Sequence, residues 1–109
     1  MRILVVDDDP DVGEALVILF RQAGHEVSWV ADGAGALELL PADVVLLDLY
    51  LAEGPSLELL PRLGGARIYV ITAGSPPSEM RAAIDRSGAA ALLFKSIDPG
   101  ELLARVERG

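Results

Sequence analysis

The residues able to do chemistry in this chain stand in one kind of place, directly after short apolar runs. Asp7, Asp8 and Asp9 follow residues 3–6 (Ile-Leu-Val-Val). Asp48 follows 44–47 (Val-Val-Leu-Leu), Thr72 follows 68–71 (Ile-Tyr-Val-Ile) and Lys95 follows 91–94 (Ala-Leu-Leu-Phe). Each is bland alone: an Asp run before Pro10 reads as a turn and helix cap, and a lone Asp, Thr or Lys after a strand reads as a turn residue. Together on one rim they read as a reaction site. Converging carboxylates repel one another and call for a cation. Oxygen donors without His or Cys disfavour zinc and copper and suit Mg²⁺, which keeps its waters and takes one or two carboxylates plus phosphate. A carboxylate, a hydroxyl and an ammonium around Mg²⁺ are the parts of a phosphoryl transfer. Asp48 would be the nucleophile that becomes an aspartyl phosphate. Lys95 and the metal would neutralise the phosphoryl oxygens, and Thr72 would hydrogen-bond one of them.

These residues share a rim only if the apolar runs form one parallel sheet. The four runs are continuous and aliphatic, as strands buried on both faces are. A fifth, 27–30 (Val-Ser-Trp-Val), is more polar and suits an edge. It is followed by Ala31, so the edge strand alone brings no polar group to the rim.

Between the runs lie helical patterns. Val12, Ala15, Leu16, Leu19, Phe20 and Ala23 make a stripe at helical spacing. Asp9 caps it, Pro10 suits its first position and Gly24 ends it. Residues 34–40 predict a short helix stopped by Pro41, and 57–63 another stopped by Gly64 and Gly65. Ser75 and Pro76 open a fourth, which runs to about Arg86 and ends at Gly88. Residues 98–101 (Asp-Pro-Gly-Glu) approach a capping box and open the last helix, to about Glu107.

The order is strand–helix five times. That predicts an α/β fold, a doubly wound five-stranded parallel sheet with strand order 2-1-3-4-5. Ligands of such sheets bind at the C-terminal strand ends, where the order reverses between strands 1 and 3. Strands lie about 4.8 Å apart, so Lys95 starts roughly 10 Å from Asp48, within the combined reach of the two side chains.

Composition narrows the class. The chain has 109 residues, 51% of them hydrophobic, and predicts one domain over 1–109. Cysteine is absent, which excludes disulfides and thiolate sites. No apolar run approaches the ~20 residues of a bilayer span, and a secretory leader pattern is missing, so a cytoplasmic protein is expected. The formal charge of −8, from 17 acids and 9 bases, argues against direct nucleic-acid or membrane binding. Eight of those bases are Arg; Lys95 is the single Lys.

In these residues the chain resembles the response-regulator receiver domain of two-component signalling. The matching stretches are 3–10 (Ile-Leu-Val-Val-Asp-Asp-Asp-Pro), 24–27 (Gly-His-Glu-Val), 43–49 (Asp-Val-Val-Leu-Leu-Asp-Leu), 70–73 (Val-Ile-Thr-Ala) and 88–95 (Gly-Ala to Phe-Lys). The resemblance implies a flavodoxin-like (βα)5 fold with Asp48 as phosphoacceptor. It implies Asp8 as a direct Mg²⁺ ligand, Asp7 as its acidic neighbour, and Tyr50 as a ligand through its backbone carbonyl. Thr72 and Lys95 match the switch hydroxyl and the phosphate-pairing Lys, and Asp9 matches no ligand. The implied donor is a histidine kinase or phosphotransfer protein. The implied readout is a surface on the fourth helix, fifth strand and fifth helix, presented to a downstream protein or effector domain. Self-catalysed phosphorylation with weak autodephosphorylation is implied, rather than turnover of a substrate.

Four departures stand out. Ser96 replaces the family's Pro after the Lys, often in a cis bond; a non-Pro cis bond costs about 2.5–4 kcal/mol, so a trans bond is expected. Leu92 replaces the aromatic that turns inward with the switch hydroxyl. The loop 51–56 differs, and the stretch from Asp48 to Thr72 is shorter. They motivate an alternative, a receiver-fold interaction module that signals without phosphate. Asp7-x-Asp9 also suits a phosphatase of the haloacid dehalogenase kind, but Asp11 stands where that family has a small or β-branched residue. Met80, Ile84 and Leu103 are candidates for an exposed partner or homodimer surface. His25 is expected at a loop or strand edge, and Trp29 against a neighbouring helix. Either a single-domain regulator or part of a larger one is expected.

Overall fold

The computed structural model describes residues 1–109. In chain order the elements are β1 (Arg2–Val6), α1 (Pro10–Gln22), β2 (Glu26–Val30), α2 (Gly33–Glu38), β3 (Val44–Asp48), β4 (Tyr50–Leu51), β5 (Gly54–Pro55), a 3₁₀ helix (Leu57–Arg62), β6 (Arg67–Thr72), α3 (Ser78–Arg86), β7 (Ala91–Phe94) and α4 (Pro99–Arg108). Five strands form one parallel sheet in the order β2-β1-β3-β6-β7. With the small antiparallel β4–β5 ribbon set aside, this is the expected order 2-1-3-4-5.

Alternation along the strands divides the core in two. Leu4 and Val6, Val45 and Leu47, and Ile68 and Val70 pack with Ala36 of α2, Leu60 of the 3₁₀ helix and Ile84 of α3. Ile3 and Val5, Val44 and Leu46, and Tyr69 and Ile71 pack on the other face with Phe20 of α1 and Leu102 and Val106 of α4. β3 is buried along its whole length, which explains its unbroken apolar run.

The helix ends follow their sequence signals. The Asp9 side chain accepts the Asp11 N–H at 2.9 Å and Pro10 opens α1. Gly24, at φ +92°, turns the chain out of the helix in the left-handed region that favours glycine. Asp98 caps α4 by accepting the Glu101 N–H at 3.1 Å. His25, just before β2, ties the sheet edge to α4: its Nε2 lies 2.8 Å from Glu107 and its Nδ1 3.2 Å from the N-terminal amine.

Four expectations are corrected. The third helix is a 3₁₀ helix. Pro61 lies inside it and supplies no N–H, and i→i+3 bonds such as Leu63 N–H to Leu60 carbonyl tighten the turn. The fourth helix opens at Ser78 rather than Ser75, because each residue before a proline avoids the helical region and Pro76 and Pro77 follow in series. Residues 50–55 form the β4–β5 ribbon rather than a plain loop. Ile84 belongs to the core, 2% exposed, and leaves only the half-buried Met80 and Leu103 of the surface trio. The Lys95–Ser96 bond is trans, as expected; the one cis bond precedes Pro41.

Loss of one N-cap bond sets a testable cost. Asp9→Ala should lower the unfolding free energy by about 1 kcal/mol in urea denaturation, and Asp9→Ser should recover most of it.

Candidate functional site

The parallel sheet brings the C-terminal ends of β1, β3, β6 and β7 to one rim, and the register sets how closely. Val6 is level with Leu47, and Asp48 with Ile71, so the residues that follow β1 lie beside the end of β3. One carboxylate oxygen from each of Asp7, Asp8 and Asp48 lies within 4.8 Å of the others. Asp7 and Asp48 are buried at 3% and 6% exposed, while Asp8 faces solvent. The Lys95 ammonium crosses the rim to reach both buried acids, at 3.2 Å from Asp7 Oδ2 and 3.4 Å from Asp48 Oδ2. The Lys95 N–H bonds the Thr72 carbonyl at 2.8 Å, which sets the last residue of β6 beside the root of the lysine.

Thr72 is 2% exposed and its hydroxyl donates to the Gly74 carbonyl at 3.1 Å. That bond is local and replaceable by a better acceptor at the rim. Asp9 takes no part in the acid group; it is the helix cap, as expected. The Tyr50 N–H approaches Asp48 Oδ1 at 3.4 Å. Its exposed ring leaves the rim, and its hydroxyl donates to Met80 Sδ of α3 at 3.2 Å. Leu92 packs at the margin of the α3-side core.

Two supporting residues make interactions outside the sequence expectations, although Trp29 does pack against a neighbouring helix as expected, on Gly13 of α1. Ser56 is buried and its hydroxyl donates to the Asp48 carbonyl at 2.6 Å and the Leu49 carbonyl at 3.1 Å. The Ser56 N–H also bonds the Leu49 carbonyl, at 2.8 Å. That bond makes Tyr50 and Pro55 a non-hydrogen-bonded pair of the ribbon, so the ribbon offers no donor to the Tyr50 carbonyl. Nothing short-range in the sequence marks Ser56. The second residue is Trp29, whose indole N–H donates to the Asp7 carbonyl at 2.8 Å. Gly13 in the interior of a strongly patterned helix was a usable signal for it, since such a glycine usually has a packing reason.

The electrostatics follow from burial of two acids beside one base. Burial raises the Asp48 carboxyl, and the charge of Asp7 raises it further. Lys95 and the Tyr50 N–H oppose them, and the net position is about 6 against an ordinary 3.8. For Lys95, burial works to lower the ammonium, but the hydrogen bonds and charges of Asp7 and Asp48 outweigh it and hold it above its usual value. The rim therefore carries more negative charge than its single cation offsets. An all-oxygen donor set of three carboxylates fits a hard divalent cation such as Mg²⁺, with waters completing its coordination.

Comparison with known proteins places the fold in a family. The profile of the response regulator receiver domain matches residues 3–107. The DNA-binding response regulator MtrA of Mycolicibacterium smegmatis is 38% identical over 96% of this chain and 48% of its own length. Protein Rrf1 of Nitratidesulfovibrio vulgaris is 37% identical over 98% of this chain and 80% of its own. Among solved structures, the non-phosphorylated HemR receiver domain of Leptospira biflexa superposes with a TM-score of 0.87 at 31% identity, over 98% of this chain and 91% of that one. The chain belongs to the response-regulator receiver domain family, and its fold is the CheY-like flavodoxin fold. It spans about half the length of MtrA. No helix is long and apolar enough to cross a membrane.

The raised Asp48 carboxyl has a stability signature. Asp48 holds its proton more tightly folded than unfolded, so its contribution to stability falls as pH rises from about 3.8 to about 6, and the penalty is full above that. In metal-free buffer, Asp48→Asn should raise the unfolding free energy by on the order of 1–3 kcal/mol near neutral pH. Denaturation profiles should show the gain shrinking below about pH 6 and vanishing below about 3.8. A gain that persists unchanged in acid contradicts the assignment.

Proposed function

We propose that this chain is a phosphoacceptor receiver, in which Asp48 takes a phosphoryl group from a phosphohistidine on a histidine kinase or phosphotransfer protein. The observation that carries the reading is the Lys95 ammonium between Asp7 and Asp48 on a rim with a third acid, Asp8. An Asp48 carboxylate oxygen attacks phosphorus, the O–P bond forms, and the P–N bond of the donor breaks with its electron pair returning to the imidazole. Lys95 stays at the acceptor and pairs with the phosphoryl oxygens. Thr72 exchanges its Gly74 carbonyl for one of those oxygens.

Asp7, Asp8, Asp48 and the Tyr50 carbonyl would hold Mg²⁺, which when bound supplies positive charge to the phosphoryl oxygens during transfer. Ser56 keeps the Asp48 and Leu49 carbonyls occupied, so the main chain after the acceptor stays in one path. The protein is not a turnover enzyme on this reading; it phosphorylates itself from a donor and loses the phosphate slowly. The output is a change on the surface of α3, β7 and α4, offered to a downstream protein, an effector domain or a second copy of the chain. It works in the cytoplasm, without membrane or direct nucleic-acid contact by these residues.

Leu92 favours a second reading, a receiver-fold module that binds its partner irrespective of phosphate. The two readings separate cleanly. On the first, acetyl phosphate with Mg²⁺ adds one phosphoryl group by intact mass. Asp48→Ala abolishes the gain, and chelating Mg²⁺ slows it by roughly 100-fold. No Asp48-dependent gain overturns it. Partner binding indifferent to Asp48→Ala and to beryllofluoride supports the second.

A further inference from the structure

Gly13 sits in the interior of α1, where glycine costs about 1 kcal/mol relative to alanine. Its environment shows what is gained. A Cβ at this position would lie 2.4 Å from Cε2 and Nε1 of Trp29 and 2.7 Å from Cδ1. The indole therefore lies directly on the bare helix backbone, nearer than any side chain at position 13 permits. From there its N–H reaches the Asp7 carbonyl at 2.8 Å. Burial is not the purpose, because Trp29 remains 36% exposed.

The next residue of β2 completes the hold. The Asp7 N–H donates to the Val30 carbonyl at 3.1 Å, so the edge strand grips Asp7 through both its backbone groups. The Asp7 side chain is fixed as well, with the Asp9 N–H on Oδ1 at 2.9 Å and Lys95 on Oδ2 at 3.2 Å. Asp8 follows the gripped carbonyl directly, so the direction in which its free carboxylate points is set by the same peptide.

We propose that Trp29, seated on Gly13, is a positioning residue that pre-orients Asp7 and Asp8 for a divalent cation. This rests on the reading of Asp7, Asp8 and Asp48 as the Mg²⁺ site. Pre-orientation raises affinity because the ordering cost is met before the ion arrives. Trp29 is the only tryptophan in the chain, so the device also reports on itself.

The test is Mg²⁺ binding to the full chain without phosphate. Titrating wild type with Mg²⁺ should change tryptophan emission, and Asp8→Ala should abolish the change. Trp29→Phe keeps an aromatic ring but removes the N–H, and should weaken the calorimetric Mg²⁺ affinity roughly 3- to 10-fold, the worth of one hydrogen bond. Gly13→Ala improves intrinsic helix propensity yet pushes the indole away, and should weaken Mg²⁺ by a similar factor while circular dichroism shows a folded chain. A purely structural role would change melting without changing affinity. Wild-type affinity in both variants overturns the proposal and leaves the metal site standing. A wild-type chain that takes no Mg²⁺ overturns the metal site and the proposal with it.

Discussion

One ammonium shared between two buried carboxylates is the constraint around which this molecule is arranged. Asp7 and Asp48 end neighbouring parallel strands, and neither has the solvent that would screen its charge. Lys95 compensates both from across the sheet, two strands from Asp48 and three from Asp7. That requires β7 to sit at the far edge of the sheet with its end held at a fixed height, which the Lys95 N–H to Thr72 carbonyl bond provides. Compensation is incomplete, and the residual repulsion appears in the raised Asp48 carboxyl. A rim with excess negative charge, oxygen donors and one fixed cation is poised for a divalent cation and a phosphoryl group. A divalent cation alone would relieve that charge, whereas a phosphoryl group alone would add to it.

The parts that sequence reading recovered are those in which one strong local signal decides the outcome. The five strands are legible to within a residue or two because each is an apolar run bounded by polar or turn residues, and a run as short as the five residues of β3 is too short for a helix. The order of strands followed from the alternation with helices and from the polar composition of residues 27–30. The rim residues followed from position, since whatever comes after a buried parallel strand arrives at the same edge. What sequence reading missed depends on contacts between distant segments. Ser56 meets the Asp48 carbonyl only because the ribbon folds back on itself. Trp29 meets Asp7 only because α1 has a bare position at Gly13. The 3₁₀ geometry of Leu57–Arg62 was signalled by Pro61 in so short a segment, but the apolar spacing there matched an ordinary helix equally well.

Three of the four departures from the family pattern gather on one side: Leu92, the ribbon through Leu51 and the 3₁₀ helix through Leu60 all border the α3-side core, while Ser96 follows Lys95 at the rim. Tyr50 stands between them. Its N–H approaches Asp48 Oδ1 and its hydroxyl donates to Met80 Sδ, so this one residue links the rim to α3.

Strand parity gives this division a physical basis. Asp7 continues the series of Ile3 and Val5, Asp48 that of Val44 and Leu46, and Lys95 that of Ala91 and Leu93, all directed to the α1 and α4 face. Thr72 continues Ile68 and Val70, which are directed to the opposite face. The sheet is thus a partition with the charged groups on one side of it and the hydroxyl on the other. Strain or charge created among the acids is felt by α1 and α4 directly. Toward α3 the rim has the Lys95 N–H to Thr72 carbonyl bond and the Tyr50 hydroxyl on Met80. α4 shares the compartment of the charged groups and α3 that of the hydroxyl, so the two ends of the proposed output surface lie on opposite sides of the sheet.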